Sequence, residues 1–428
     1  MKNTTIMLLL ILAIAFSVRM IPAFWEPMAG IDSYYHLRLS EMVKENGLVN
    51  YDPISQGGRI HNYPPGIHIL IAGASFLADG KIAGHVLLSI FGSFIVLSGF
   101  LISKKLYNEK AGIAASLLLV FSVVSIWATG SITNDGIAAG IFSLSALCFV
   151  YKRIRPCIAI TFALLIFSPF FAVFASVIFA AFTDNKKIRP IFLLIIAIAL
   201  FFYIKETYLY TSNALPEYVK NAIFPNLSAY EIIIRLTPFM LLSVLGLMFC
   251  RKDKFLIAWT FLLAILSFII EPNRILFYIS LPLSILAGGF LSQRRRSIYG
   301  IFLILIIISG LFSANYALMQ LKDVSMSSDE YEAFTWIRDN SPSDSVILAT
   351  PMEGHWINSV SKRKNVVDGY LFSETEERLD DAYKIYTDGD ELLIRKYNIS
   401  YVVFSRFSPA RFNATIVFEK GTTTITKV

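Results

Sequence analysis

"CIAITFALLIFSPFFAVFASVIFAAF", residues 157–182, decides how this chain is built. The run is longer than the roughly 20 apolar residues that one membrane-spanning helix needs. It is also interrupted at Ser168-Pro169, where proline removes a backbone donor and crowds the preceding turn. Lys152, Arg153 and Arg155 stand before it and Lys186, Lys187 and Arg189 after it. Basic loops gather on the cytoplasmic side of a membrane, so a single span would leave one cluster on the wrong side. Two short helices folded back as a hairpin bring both clusters inside.

The same charge rule orders the rest of the chain. With the N-terminus inside, a first helix over about 5–24 exits the membrane, and Lys2 followed by "IMLLLILAIAFS" reads as an uncleaved signal-like segment, since no small-residue cleavage site precedes "RMIPAFW". "GIHILIAGASFLA" is too short to span, which makes 25–81 one long external loop. The runs 82–103, 112–129 and 136–151 then cross in turn, the hairpin follows, and 190–204, 232–250, 255–270, 275–291 and 298–316 complete about eleven helices. The basic clusters at 104–110, 152–155, 186–189, 251–254 and 294–296 all fall inside. The N-terminus is thus expected in the cytoplasm and the C-terminal domain outside the cell membrane.

Composition agrees. With 55% hydrophobic residues and 35 Phe at a mean hydropathy of +0.61, the chain reads as a multi-pass α-helical membrane protein over 1–319. From about 320 acids and bases mix, and 320–428 reads as a small extracytoplasmic α/β domain. It has a helix at 328–340, the strand-like "SVILA", helices near 374–397, "ISYVVF" and a terminal hairpin. The net charge of +7 sits in the cytoplasmic loops rather than on a basic face, so no nucleic-acid partner is expected. Cys148, Cys157 and Cys250 lie in or beside apolar runs, and no disulfide framework is implied.

Polar groups collect in the external loops 25–81, 130–135 and 205–231 and in the turn 271–274. Ionisable residues sharing one membrane face are candidates for a site. In "GIDSYYHLRLSE", residues 30–41, Asp32 reads as either a helix N-cap or a catalytic acid. As a helix, Tyr35, Leu39, Met42 and Val43 would form the apolar stripe and Arg38, Glu41 and Glu45 the wet face. His36, His61 and His68 all fall in this loop, at spacings better suited to contacting a substrate than to holding zinc. Asp135 in "GSITNDGIAAG" sits at a helix start, where a capping role is the plainer reading. "SAYE" makes Ser228 and Glu231 a capping box. Arg274 opens an apolar helix with Glu271 its sole local acid, which suits either a phosphate or snorkelling to the interface.

"GIDSYYHLRLSE…YDP…YPPG", "GSITNDGIA", "SAYE", "RILFYISLPLSILAG" and "WIRDNSPSDSVIL…GHWI…KRKNVVDG" follow in an order that resembles the catalytic subunit of archaeal and eukaryotic oligosaccharyltransferase, within the GT-C class of membrane glycosyltransferases. The resemblance implies that Asp32 is the first-loop catalytic acid and binds a divalent cation such as Mg or Mn with Asp135 and Glu231. It implies that Arg274 contacts the phosphate of a lipid-linked donor, with His36, Arg38, His61, Asp135 and Glu231 as further substrate-binding candidates. Two departures stand out. Thr133 replaces the first acid of the second-loop motif, and "TPMEG", Thr350 to Gly354, stands where the family's WWDYG reads an acceptor sequon.

The implied activity is transfer of a sugar or glycan from a polyprenyl- or dolichyl-phosphate donor to an extracytoplasmic glycan, lipid or protein, in contact with membrane lipids. A true oligosaccharyltransferase acting on Asn is the neighbouring alternative. An inactive paralogue, or a lipid or polysaccharide transporter, is the alternative from another class, and the nearly charge-free helix interiors argue against transport. All these readings place Asp32, Asp135, Glu231 and Arg274 around one external hollow. Asn226, Asn398 and Asn413 each head an Asn-x-Ser/Thr triplet, a pattern that also arises by chance.

Overall fold

The computed structural model describes residues 2–61, 63–206, 238–249, 253–266, 272–369 and 375–428. They fall into two compact units. Among the described residues, one, helical, draws on 2–24, 64–203 and 238–323; the other draws on 25–63, 204–206 and 324–428.

In chain order the helices up to 323 are α1 (Lys2–Met20), α2 (Asp32–Asn46), α3 (Gly66–Ala74), α4 (Gly80–Leu106), α5 (Glu109–Val120), α6 (Val123–Gly130), α7 (Asn134–Val150), α8 (Ile154–Ala163), α9 (Pro169–Phe182), α10 (Arg189–Glu206), α11 (Leu242–Phe249), α12 (Lys254–Leu266), α13 (Pro272–Ser292) and α14 (Arg296–Asp323). All but α2 and the last three residues of α10 belong to the helical unit. Among the described residues, three helical stretches are long and apolar enough to cross a membrane: Asn3–Phe24, Gly80–Leu106 and the one starting at Arg296. The α5–α6 pair makes a fourth if taken as one span, and the described residues also hold shorter apolar helices of 10–17 residues. Residues 207–237, which take in all but the first two residues of the expected external loop 205–231, lie outside the described residues.

The helix breaks where the sequence places the break. α8 tightens into a 3-10 turn at Leu164–Ile166, and α9 begins with Pro169 at its first position, where a missing N–H costs nothing. Two neighbours seal the break. The Asn134 side-chain amide donates to the Phe167 carbonyl, and Gly66 lies so close that a Cβ there would stand 2.6 Å from the Ile166 carbonyl. α3, opening on that glycine, is nine residues long, about 13 Å at the helical rise against a hydrocarbon core of about 30 Å.

The stretch expected as one helix over 112–129 is instead two, α5 and α6, bent by 55°. The physical cause is Arg19 of α1, which is fully buried. Its guanidinium donates to the Leu119 and Val120 carbonyls at the end of α5 (3.3 and 3.5 Å), to Ser125 Oγ and Thr129 Oγ1 of α6 (2.8 and 2.9 Å) and to the Ala15 carbonyl (2.9 Å). A side chain inserted into the helical ladder is a recognised origin of a kink. Gly92 of α4 leaves the room, since a Cβ there would lie 2.5 Å from Arg19.

In the second unit the remaining helices are α15 (Ser328–Asn340), α16 (Pro351–Trp356), α17 (Thr375–Asp388) and α18 (Glu391–Lys396). The strands are β1 (Tyr51–Asp52), β2 (Arg59–Ile60), β3 (Val346–Leu348), β4 (Lys364–Asn365), β5 (Ile399–Phe404), β6 (Thr415–Lys420) and β7 (Thr423–Lys427). β1 and β2 form a small antiparallel pair, and the main sheet has the order β4-β3-β5-β7-β6. β3 lies parallel to both β4 and β5, while β7 runs antiparallel to β5 and β6. α17 buries Leu379, Ala382, Ile385 and Tyr386 at helical spacing against Leu348, Val367, Val402 and Phe404. The helix, strand and hairpin order read from 328 onward is present. The long loop read as 25–81 is divided between the two units at 63/64.

Candidate active site

α2 carries the first candidates. Asp32 is its first helical residue, exposed, placed where a carboxylate favours the helix dipole. The N-cap position is Ile31, so Asp32 is not the cap. Gly47, at φ +78°, ends the helix with its N–H on the Val43 carbonyl. Tyr35 and Leu39 pack with Met42, Val49 and Tyr63, as the apolar stripe requires.

Arg38 departs from the expected wet face. It is 5% exposed and its guanidinium grips Asp52 of β1 through two nitrogens, at 2.9 and 2.5 Å. Asp52, wholly buried, also accepts the Ile54 and Ser55 N–H groups at 3.3 Å. Burial alone would raise the Asp52 pKa; the hydrogen bonds and charge of Arg38, joined by Arg59, overcome it and hold the carboxyl below its usual value. Opposite Asp52 in the β1–β2 register stands Arg59, which lies 3.6 Å from Asp368. Asp368 also accepts from Ser55 Oγ and from Gln56 Nε2 at 3.1 Å. Asn365 and Asn358 complete the attachment: Asn365 Oδ1 accepts the Gln56 N–H at 2.5 Å, and Asn358 Nδ2 donates to the Ile54 carbonyl at 3.0 Å. The segment 25–61 is thus held to the C-terminal segment by buried polar bonds inside one unit.

Next to this ionic cluster lies an aromatic one. The Tyr35 ring centroid is 5.3 Å from His36, 6.2 Å from His61, 5.9 Å from Tyr63 and 4.7 Å from His355. Burial, then the charges of His355 and His61, push the His36 pKa down to about 3. Burial and Arg59 push His61 down to about 4. His355 is lowered by burial too, partly offset by the Asp368 and Asp32 carboxylates. All three rings are therefore neutral at pH 7. His68 is buried in α3 of the helical unit.

"TPMEG" forms the start of α16. Thr350 and Glu353 make a capping box, with Glu353 accepting from the Thr350 N–H and hydroxyl at 3.2 and 2.7 Å. Full burial pushes the Glu353 carboxyl up to about 7. Gly354 is obligatory here, because a Cβ would lie 2.3 Å from the Val367 carbonyl.

In the helical unit, Thr133 rather than Asp135 is the N-cap of α7, accepting the Gly136 N–H at 3.3 Å. Asp135 is half-buried in the first turn, and its carbonyl accepts the Tyr278 hydroxyl of α13 at 3.2 Å. Arg274 stands in the first turn of α13, four residues before Tyr278. Glu231 and the "SAYE" capping box lie outside the described residues. Among the described residues, no three His, Cys, Asp or Glu side chains come together as a metal ion requires. Asp52 and Asp368 are already committed to arginines. Of the three carboxylates expected to hold a divalent cation, Asp32 and Asp135 are described, and Glu231 lies outside the described residues.

Sequence reasoning missed Asp52, Arg59, Asp368 and His355. "YDP" and "VVDG" hold two of them, but neither stretch has a periodicity that marks burial.

In fold the chain is similar to solved structures of an archaeal oligosaccharyltransferase and of ArnT. The apo oligosaccharyltransferase of Archaeoglobus fulgidus matches 94% of this chain and 69% of its own length, at 12% identity and a TM-score of 0.69. ArnT from Cupriavidus metallidurans bound to undecaprenyl phosphate matches 98% of this chain and 97% of its own, at 13% identity and a TM-score of 0.62. The A. fulgidus enzyme AglB in complex with an inhibitory peptide and a dolichol-phosphate matches at a TM-score of 0.57 and 15% identity, covering 92% of this chain and 69% of that one. No family model and no curated protein matches the sequence.

Proposed function

We propose that this chain is a membrane glycosyltransferase that moves a sugar or glycan from a polyprenyl-phosphate-type donor to an acceptor outside the cytoplasm. The observation that carries the reading is the likeness over nearly the whole chain to two enzymes whose structures hold dolichol-phosphate and undecaprenyl phosphate. On the charge rule the N-terminus lies inside and the C-terminal unit outside, and the helical unit would carry the lipid tail.

In the proposed reaction the acceptor nucleophile attacks the anomeric carbon and the lipid phosphate leaves. Asp32, an exposed carboxylate at a helix start, takes the acceptor proton as general base. Arg274 balances charge on the departing phosphate, a role suited to a guanidinium, and Asp135 assists at the donor. His36, Arg38 and His61, being buried, would hold the loop that presents Asp32 rather than touch substrate.

"TPMEG" as a closed capping box favours an acceptor other than an Asn sequon. The test is a membrane assay with a labelled polyprenyl-phosphate sugar. Asp32→Asn is expected to lower transfer by about 100-fold or more, and equal transfer by the variant and the wild type would overturn the assignment. Transfer of glycan to an Asn-x-Thr peptide would replace the acceptor reading with that of a true oligosaccharyltransferase.

A further inference from the structure

The C-terminal unit carries two Asn-x-Ser/Thr triplets among the described residues, and the fold treats them differently. Asn413-Ala414-Thr415 ends an irregular segment and enters β6, the outermost strand of the main sheet. Exposure alternates along it: Phe412 and Ala414 are partly covered, Asn413 and Thr415 exposed. Phe412 supplies the anchor, packing edge-on against Phe404 at 5.4 Å. In near-extended chain, residues two apart share a side, so the Asn and Thr side chains of the triplet project together into solvent. The Asn413 side chain makes no hydrogen bond among the described residues.

Asn398-Ile399-Ser400 has the same pattern and the opposite presentation. Asn398 is in a left-handed turn at φ +53°, its N–H bonded to the Arg395 carbonyl at 3.1 Å. Ile399 is 5% exposed, and Ser400 is in β5, paired on both sides within the sheet. An enzyme would have to dismantle a strand to reach it.

We infer that Asn413 is an acceptor site for an N-linked glycan, supplied by an enzyme that reads Asn-x-Ser/Thr and a lipid-(pyro)phosphate-linked glycan. In the transfer, Asn413 Nδ2 forms a bond to the anomeric carbon as the bond from that carbon to the phosphate oxygen breaks. One amide proton is lost to base, and the lipid phosphate leaves with the bonding electrons. The attached glycan would stand over the open edge of the sheet beside Ile416, which is 52% exposed, and open apolar strand edges invite unwanted pairing. The inference rests on the outward placement of the C-terminal unit and goes beyond the activity proposed above.

The test is site-resolved mass spectrometry of the full chain expressed in membranes of an N-glycosylating host, with a host glycoprotein as marker. The expected result is glycan on the Asn413 peptide, lost in Asn413→Gln and Thr415→Ala, kept in Thr415→Ser, with the Asn398 peptide bare. A bare Asn413 beside a modified marker, or glycan on Asn398 in its place, overturns it. Asn413→Cys challenged on intact cells with a membrane-impermeant maleimide separates two failures. Labelling without glycosylation removes this inference alone; no labelling removes it together with the outward orientation.

Discussion

Arg38 and Asp52 show how a single residue's role depends on a partner that its own helix does not contain. Within α2, Arg38 falls at the spacing of Glu41 and Glu45 and reads as solvated. Its partner stands fourteen positions on, past the end of the helix and at the start of a hairpin. With both side chains buried, removing one leaves the other charged in a poor solvent, at a typical cost of about 3–5 kcal/mol. Arg38→Met is therefore expected to lower the melting midpoint of the detergent-solubilised chain strongly. Arg38→Met with Asp52→Asn should recover part of the loss, because Asn keeps an oxygen for the Ile54 and Ser55 N–H groups. A double variant no more stable than the single one would refute the pairing energetics. That Asp32 stands at a helix start was legible in its own stretch of sequence.

At the scale of elements, breaks written with proline were visible and breaks written by tertiary contact were not. Ser168-Pro169 announces itself in the sequence. The bend between α5 and α6 falls at Phe121-Ser122, which contains no strong breaker, and is held by Arg19 from another helix. Replacing Arg19 with Leu leaves the Leu119 and Val120 carbonyls without their donor, and each unsatisfied buried group costs about 1–3 kcal/mol. Lys has no planar fork to span five acceptors, so Arg19→Lys should rescue little. Both variants are expected to melt lower than the wild type, and an unchanged midpoint for Arg19→Leu would show that the bend does not depend on the guanidinium.

For the whole molecule, the buried histidines make the second unit sensitive to acid. The ordinary His pKa of 6.5 is lowered to about 3 in His36 and about 4 in His61, and His355 is lowered as well. Between pH 6.5 and about 4 the unfolded chain binds protons that the folded one refuses, so stability falls as pH drops through that window. Glu353 acts oppositely: raised from 4.5 to about 7, it favours the folded state at low pH and loses that contribution as pH rises through 7. Three histidines against one carboxyl leave a net loss on acidification. The melting midpoint is expected to be lower at pH 5 than at pH 7, and His36→Phe, which keeps a ring but cannot titrate, should narrow the gap. An equal gap in wild type and His36→Phe would remove His36 from the account.

The sequence by itself determined the apolar helices, the helix break at Pro169 and the order of elements from 328 onward, because hydropathy, proline and strand periodicity are local properties read over one or two turns. Only the tertiary structure decided that residues 25–63 belong with the C-terminal segment, that Arg38 faces Asp52, that His355 completes the aromatic cluster and that Arg19 bends a helix. Each of those joins groups distant in the chain through burial and hydrogen bonding, and a buried ion pair carries no local periodicity by which its partners could find one another.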